Sequence, residues 1–183
     1  MEHTRNRLTS FETIFFNRLS NYLDTKLYFF GSVQRNDYLP KYSDIDVDIF
    51  TENENSTIIK MMHLLDVEKS EFKKFIWKLN VNNKLITGYK LLYKTKENNI
   101  IVEFSIHNQK YKKEILKEHV DKTDIPFYAT YLLIFIKYLY YKFNIIPSSV
   151  YRNIKKFILT YIIGKKFDHF LVLDIKKHNK EIL

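Results

Sequence analysis

The chain has 183 residues, 45% of them hydrophobic and 16% aromatic, with a net charge of +9 and no cysteine. That is enough apolar material for one domain with a helical appendage, and it excludes disulfides and thiolate-bound zinc. The opening MEHTRNRLTS lacks the apolar run of a secretory signal, and the most apolar stretch, 131–136, is broken by Lys137 well short of a bilayer span, so the expected setting is intracellular, cytoplasmic or nuclear, without a membrane. The positive charge attracts phosphate backbones. Lysines scattered by codon bias would give the same total, so charge alone does not decide for a nucleic-acid partner.

In chain order, Leu8, Phe11, Phe15, Leu19 and Tyr22 recur at helical spacing, and Thr9 with Glu12 forms a capping box, which predicts an amphipathic first helix to about Tyr22. Leu27 to Phe30 is short, apolar and aromatic, and reads as a strand delivering Gly31. The polar stretch from Val33 to Lys41 is a brief helix or loop, and Ile45 to Phe50 is a second strand. Asn53 to Ser56 reads as a turn, followed by two helices, Thr57 to about Asp66 and Ser70 to about Leu79, with Trp77 in the core. Leu85 to Tyr93 and Ile100 to His107 are β-prone runs around a polar link, a hairpin signal. From Tyr111 the chain turns helical. Asp124 is expected to cap a helix that begins with Pro126 and runs to about Asn144; apolar on nearly every side, it is expected to be buried. Pro147-Ser148-Ser149 opens a further helix that Gly164 ends. Beyond Phe167 the pattern allows a short strand or helix and then a charged end.

The chemistry concentrates in FFGSVQRNDYLPKYSDIDVDIF, residues 29–50. Successive strand side chains point to opposite faces, so Asp44 and Asp46 project together while Ile45 and Val47 face the core. Two acids on one strand edge repel unless a cation lies between them, and a divalent metal is the usual one. Upstream, Gly31 lets the backbone approach an anion and Ser32 offers a hydroxyl, a natural phosphate seat. Phosphate seat and metal site together suggest nucleotide chemistry. Asp48 shares the acid face and reads as a solvated residue near the strand end rather than a peripheral acid tuning the site. The six histidines show no metal-ligand spacing, and His107 reads as a surface residue.

Gly31-Ser32, the polar gap and Asp44-Ile45-Asp46-Val47 resemble the signature of the nucleotidyltransferase superfamily, which includes DNA polymerase beta, poly(A) polymerases and small antibiotic-modifying enzymes. The resemblance implies an α+β nucleotidyltransferase fold: a small mixed β-sheet flanked by helices in a catalytic domain, residues 1–110, followed by a C-terminal helical region, 111–183, packed on it. YKLLYKTKENNIIVEFSIHN is similar to the poly(A) polymerase and terminal uridylyltransferase branch, which carries a third carboxylate on a later strand; Glu103 stands where that branch usually has Asp, and Asn108 fits its polar tail. Lys137 on the apolar helix and Ser148-Ser149 match the lysine and serines of that branch, with the tyrosine one place late as Tyr151. What this implies is that Asp44, Asp46 and Glu103 are the catalytic acids and the ligands of magnesium or manganese. Gly31, Ser32, Lys137 and Ser149 would hold the nucleoside triphosphate, and Tyr151 would stack on its base. Arg35, Lys90 and Lys94 are weaker candidates, read as solvated charges. The implied activity is metal-dependent transfer of a nucleoside monophosphate to an acceptor hydroxyl, an RNA 3′ end, with release of pyrophosphate. The alternatives are a minimal enzyme that modifies a small molecule or protein, and a degenerate module that binds RNA or a protein partner.

Overall fold

The computed structural model describes residues 3–95, 100–164 and 169–173. Helix α1 (Ser10–Leu23) opens on the predicted box: the Thr9 hydroxyl accepts from the Glu12 amide at 3.2 Å, and the Glu12 carboxylate accepts from the Thr9 amide at 2.6 Å. Strand β1 (Leu27–Phe30) has the predicted limits and runs into a 3₁₀ turn, Gly31–Gln34. Strand β2 (Ile45–Thr51) carries the acids. The turn-like Asn53 is the N-cap of helix α2 (Glu54–Leu65), its side chain accepting from the Ser56 amide at 3.0 Å, so the helix starts ahead of the predicted Thr57.

The predicted helix from Ser70 to Leu79 is a strand. A 3₁₀ turn at Lys69–Glu71 leads into β3 (Lys73–Lys78), in which Phe75 and Trp77 are buried while Lys74, Ile76 and Lys78 on the alternate positions are not. That two-residue period was legible in Phe75, Trp77 and Leu79, but the helical start signal at Ser70-Glu71 competed with it, and pairing on both edges of the strand settled the outcome. Strands β4 (Leu85–Lys94) and β5 (Ile101–Asn108) form the expected hairpin, whose connecting residues 96–99 lie outside the described residues. Helices α3 (Lys112–Thr123), α4 (Phe127–Lys137) and α5 (Ser148–Phe157) follow; α4 runs on as a π turn to Lys142, and α5 as a π turn to Ile162, closed by Gly164 at φ +72. Asp124 does not cap α4: it closes α3, and Pro126 takes the N-cap position without a side-chain hydrogen bond. The stretch beyond Phe167 contributes strand β6 (His169–Leu173), while the predicted charged end lies outside the described residues.

The six strands form one mixed sheet in the order β1-β2-β5-β4-β3-β6, with β2 and β5 parallel and all other pairs antiparallel. Ile45, Val47 and Ile49 of β2 and Val102, Phe104 and Ile106 of β5 point to one face and pack with α1 and α2. The opposite face is covered by α3, whose Ile115 joins Tyr28, Phe50, Phe75 and Trp77 in a second core. Glu118 fixes α3 to the β3–β4 turn by accepting from the Asn80 and Val81 amides at 3.0 and 3.1 Å. Helices α4 and α5 build a third core from Ala129, Leu133, Ile136, Tyr151 and Ile158. The expectation that α4 is buried all round fails: it turns one face to α5 and the loop before β2, while Phe127, Tyr131 and Phe135 on the other face stand in solvent. A pair of helices can cover only one side of each member.

Candidate active site

Four elements meet at one end of the sheet. Strand β2 brings Asp44 at its threshold and Asp46 inside it; β5 brings Glu103, which lies directly opposite Asp46 in the parallel register. Neighbouring residues in register share a face, so Glu103 and Asp46 project to the same side. This is the side the sequence assigned to both. Strand β1 ends opposite Asp46, at Phe30, and the turn after it places Gly31 against the acid. A Cβ on Gly31 would lie 1.9 Å from Asp46 Oδ2, and Gly31 adopts φ +67, so the position excludes side chains on both counts. The Ser32 hydroxyl is buried 3.5 Å from the Asp44 carbonyl oxygen, over the start of the acid strand. Asn6 pins this turn from outside, its amide side chain donating to the Val33 and Arg35 carbonyls at 2.9 and 2.7 Å.

Burial, and then the charges of Asp44 and Glu103, hold the Asp46 carboxyl well above its ordinary range; the opposing fields of Lys155 and Lys90 are weaker. Lys155 was not singled out in the sequence. Its spacing from Tyr151, one helical turn earlier on α5, was the available signal. Lys90 and Arg35 are not solvated charges. The Lys90 ammonium pairs with the Glu103 carboxylate, and Arg35 is buried with its Nε on Asp37 Oδ1 at 2.8 Å. Lys94 is exposed as expected.

Lys137 is 2% exposed and its three donors are taken: by Asp37 Oδ2 at 3.0 Å, by the Asp37 carbonyl at 2.6 Å and by Ser43 Oγ at 3.1 Å. It braces α4 against the loop that leads into the acids. Asp37 is fully buried; burial alone would raise its carboxyl, but Arg35 and Lys137 bring it down to about 2. Ser149 sits exposed in the first turn of α5. Tyr151 is buried and stacked face to face on Tyr140, with centroids 4.5 Å apart, while Tyr141 meets it edge-on. Burial, and then the negative charge of Asp44, push the Tyr141 hydroxyl up to about 12.

Asp48 and His107 depart from the sequence reading. Both are 1% exposed. His107 Nε2 lies 3.3 Å from Asp48 Oδ1, and His119 Nε2 from α3 lies 2.7 Å from Oδ2. His119 also stacks on Phe30 at 4.0 Å and on Trp77 at 5.8 Å. Burial alone would raise Asp48; the two imidazoles overcome it and set the carboxyl at about 2. The sequence showed the strand alternation that points Asp48 and His107 to one face, but not that α3 would cover that face.

The donors of Asp44, Asp46 and Glu103 are all carboxylate oxygens, and the charge gathered on Asp46 is what a hard divalent cation relieves. Among the described residues no three His, Asp or Glu side chains already close around one point, and the Lys90 pair holds Glu103 aside. The acids therefore fit magnesium or manganese by the chemistry of their oxygens.

A mixed sheet with helices on both faces, a glycine bend against an acid strand and a third acid on the parallel neighbour define a nucleotidyltransferase fold. The chain belongs to the nucleotidyltransferase domain family, whose model matches residues 13–122, from the first turns of α1 to the end of α3. Membership carries transferase activity on nucleoside triphosphates at the level of the class. No curated protein and no solved structure matches the chain. No helix among the described residues is long and apolar enough to cross a membrane.

Proposed function

We propose that this protein transfers a nucleoside monophosphate from a nucleoside triphosphate to the 3′ hydroxyl of an RNA, in the manner of the poly(A) polymerase and uridylyltransferase branch. The observation that carries the reading is the position of Asp46, pressed against Gly31 on one side and in register with Glu103 on the other. The acceptor oxygen attacks the α-phosphorus, the bond from that phosphorus to the bridging oxygen breaks, and pyrophosphate leaves. A divalent ion bound by Asp44, Asp46 and Glu103 would offset the charge of the phosphates and acidify the acceptor hydroxyl. The acceptor proton passes to the nearest carboxylate of the trio, which stays ionised once the ion is bound. The Gly31 backbone and Ser32 hydroxyl face the outer phosphates, and Lys155, whose field reaches Asp46, supplies positive charge there. The net charge of +9 supports an RNA acceptor.

A second reading, a minimal enzyme that modifies a small molecule or a protein, is favoured by a specific observation. Two of the three accessory residues carried over from the tailing branch are occupied: Lys137 with Asp37 and Ser43, Tyr151 with Tyr140 and Tyr141. Incubation with magnesium and labelled nucleoside triphosphates, with and without an RNA primer, separates the two. A ladder on the primer supports tailing, and label on a small acceptor or on protein supports the second reading. Asp46→Ala is expected to abolish transfer in either case; an active Asp46→Ala protein would defeat the mechanism.

A further inference from the structure

Helix α4 is apolar around its whole circumference, yet only half of it is covered. Ala129, Leu133 and Ile136 turn inward against α5, and Lys137 turns toward the loop before the acids. The opposite face carries Phe127, Tyr128, Tyr131, Leu132, Phe135 and Tyr138, each between 39% and 76% exposed, with no ionised side chain among them. Helical spacing gathers these six into one contiguous strip. Single exposed apolar residues are ordinary, but a contiguous strip of several hundred Å² marks an interaction surface. With roughly 200 Å² for each aromatic side chain, the strip leaves about 600 Å² of apolar surface in water.

We propose that this strip is the two-fold interface of a homodimer, in which α4 packs antiparallel against α4 of a second copy. Two such strips would bury about 1,200 Å², the lower limit for a specific interface, before their rims are counted. The strip is neutral, so pairing brings no lysines face to face despite the net charge of +9. From Phe127 to Phe135 a phosphate backbone would find no cation among the strip's own side chains; the Lys142 ammonium lies over the Tyr138 ring at the far end, 5.5 Å from its centroid. The ends are complementary: exposed Asp124 precedes α4 and exposed Lys142 closes its π turn. An isologous antiparallel pair sets Asp124 of each copy beside Lys142 of the other. The strip points away from Lys137, so the pairing leaves the acids open.

Sedimentation velocity of the full chain from about 1 to 100 µM tests this. The expected result is a dimer that Phe135→Glu and Tyr131→Glu convert to monomer with an unchanged far-UV spectrum. The native chain has no cysteine, so single cysteines report the interface even if a glutamate variant fails to fold. In the register that sets Asp124 beside Lys142, Tyr131 faces Phe135 of the other copy, so a mixture of the Tyr131→Cys and Phe135→Cys chains is expected to give a disulfide-linked dimer on mild oxidation, and a mixture of Ile14→Cys, exposed on α1, with Phe135→Cys is not. A monomer at every concentration, a dimer that survives Phe135→Glu, or equal cross-linking in both mixtures would overturn the proposal. So would a monomer that floats with anionic vesicles, since a lipid surface would then be what covers the strip.

Discussion

Gly31 and Asp46 share a space that only a glycine leaves open. A methyl group at position 31 would collide with the Asp46 carboxylate and would also be held at φ +67. Gly31→Ala is therefore expected to cost about 1–3 kcal/mol in strain and, by displacing the acid, to lower transfer by about 100-fold or more; thermal melting and steady-state rates on one preparation check both. Asp46 makes an opposite trade. Its raised carboxyl means that ionisation opposes folding, a penalty absent below the ordinary carboxylate range and growing as pH rises above it. At neutral pH without metal, Asp46→Asn is expected to melt higher than the native chain, by about 1.4 kcal/mol for each unit of displacement relieved, while losing transfer. Magnesium should raise the melting temperature of the native protein and leave the variant unmoved. A variant that melts lower would contradict this account of the acids.

At the scale of elements, the joint between α4 and the loop before β2 is one buried cluster, in which Arg35 and Lys137 share Asp37. Removing the shared acid strands two cations, so Asp37→Asn is expected to destabilise by about 3–5 kcal/mol, read by chemical denaturation. The same joint is sensitive to acid. Asp37 is lowered from an ordinary 3.8 to about 2, so its contribution is fully present above about 3.8 and is lost as pH falls toward 2. Acid titration followed through the tyrosine signal of α4 and α5 should show this step in the native chain and lack it in Asp37→Asn. Asp48 titrates in the same window, held down by His107 and His119, and the variant separates the two contributions. Lys137 in this arrangement is held by the loop, its donors taken by Asp37 and Ser43.

For the molecule as a whole, the excess of 30 basic over 21 acidic side chains gives a prediction that depends on where the charge lies. If RNA is the acceptor, its retention on a filter should weaken by about 10-fold or more between 50 and 200 mM salt, because binding releases counterions. Retention that ignores salt would remove the support that charge gives to the RNA reading and leave the small-acceptor reading in its place.

Local signals sufficed for much of this chain. The Thr9–Glu12 box, the four-residue strand before Gly31, the acid alternation on β2 and the apolar alternation on β5 are all set by spacing over a few residues, and each appears as read. Those periods also implied that Asp46 and Glu103 could share a face, since each strand alternates by itself. What lay beyond them was burial, which depends on which element lands on which. Only the packing of α3 over the sheet encloses Asp48 and His107, only pairing with strands on both edges makes 73–78 extended, and only the docking of α4 joins Lys137 to Asp37. Sequence period assigns a side chain to a face; tertiary contact alone determines whether that face meets water, a helix or another charge.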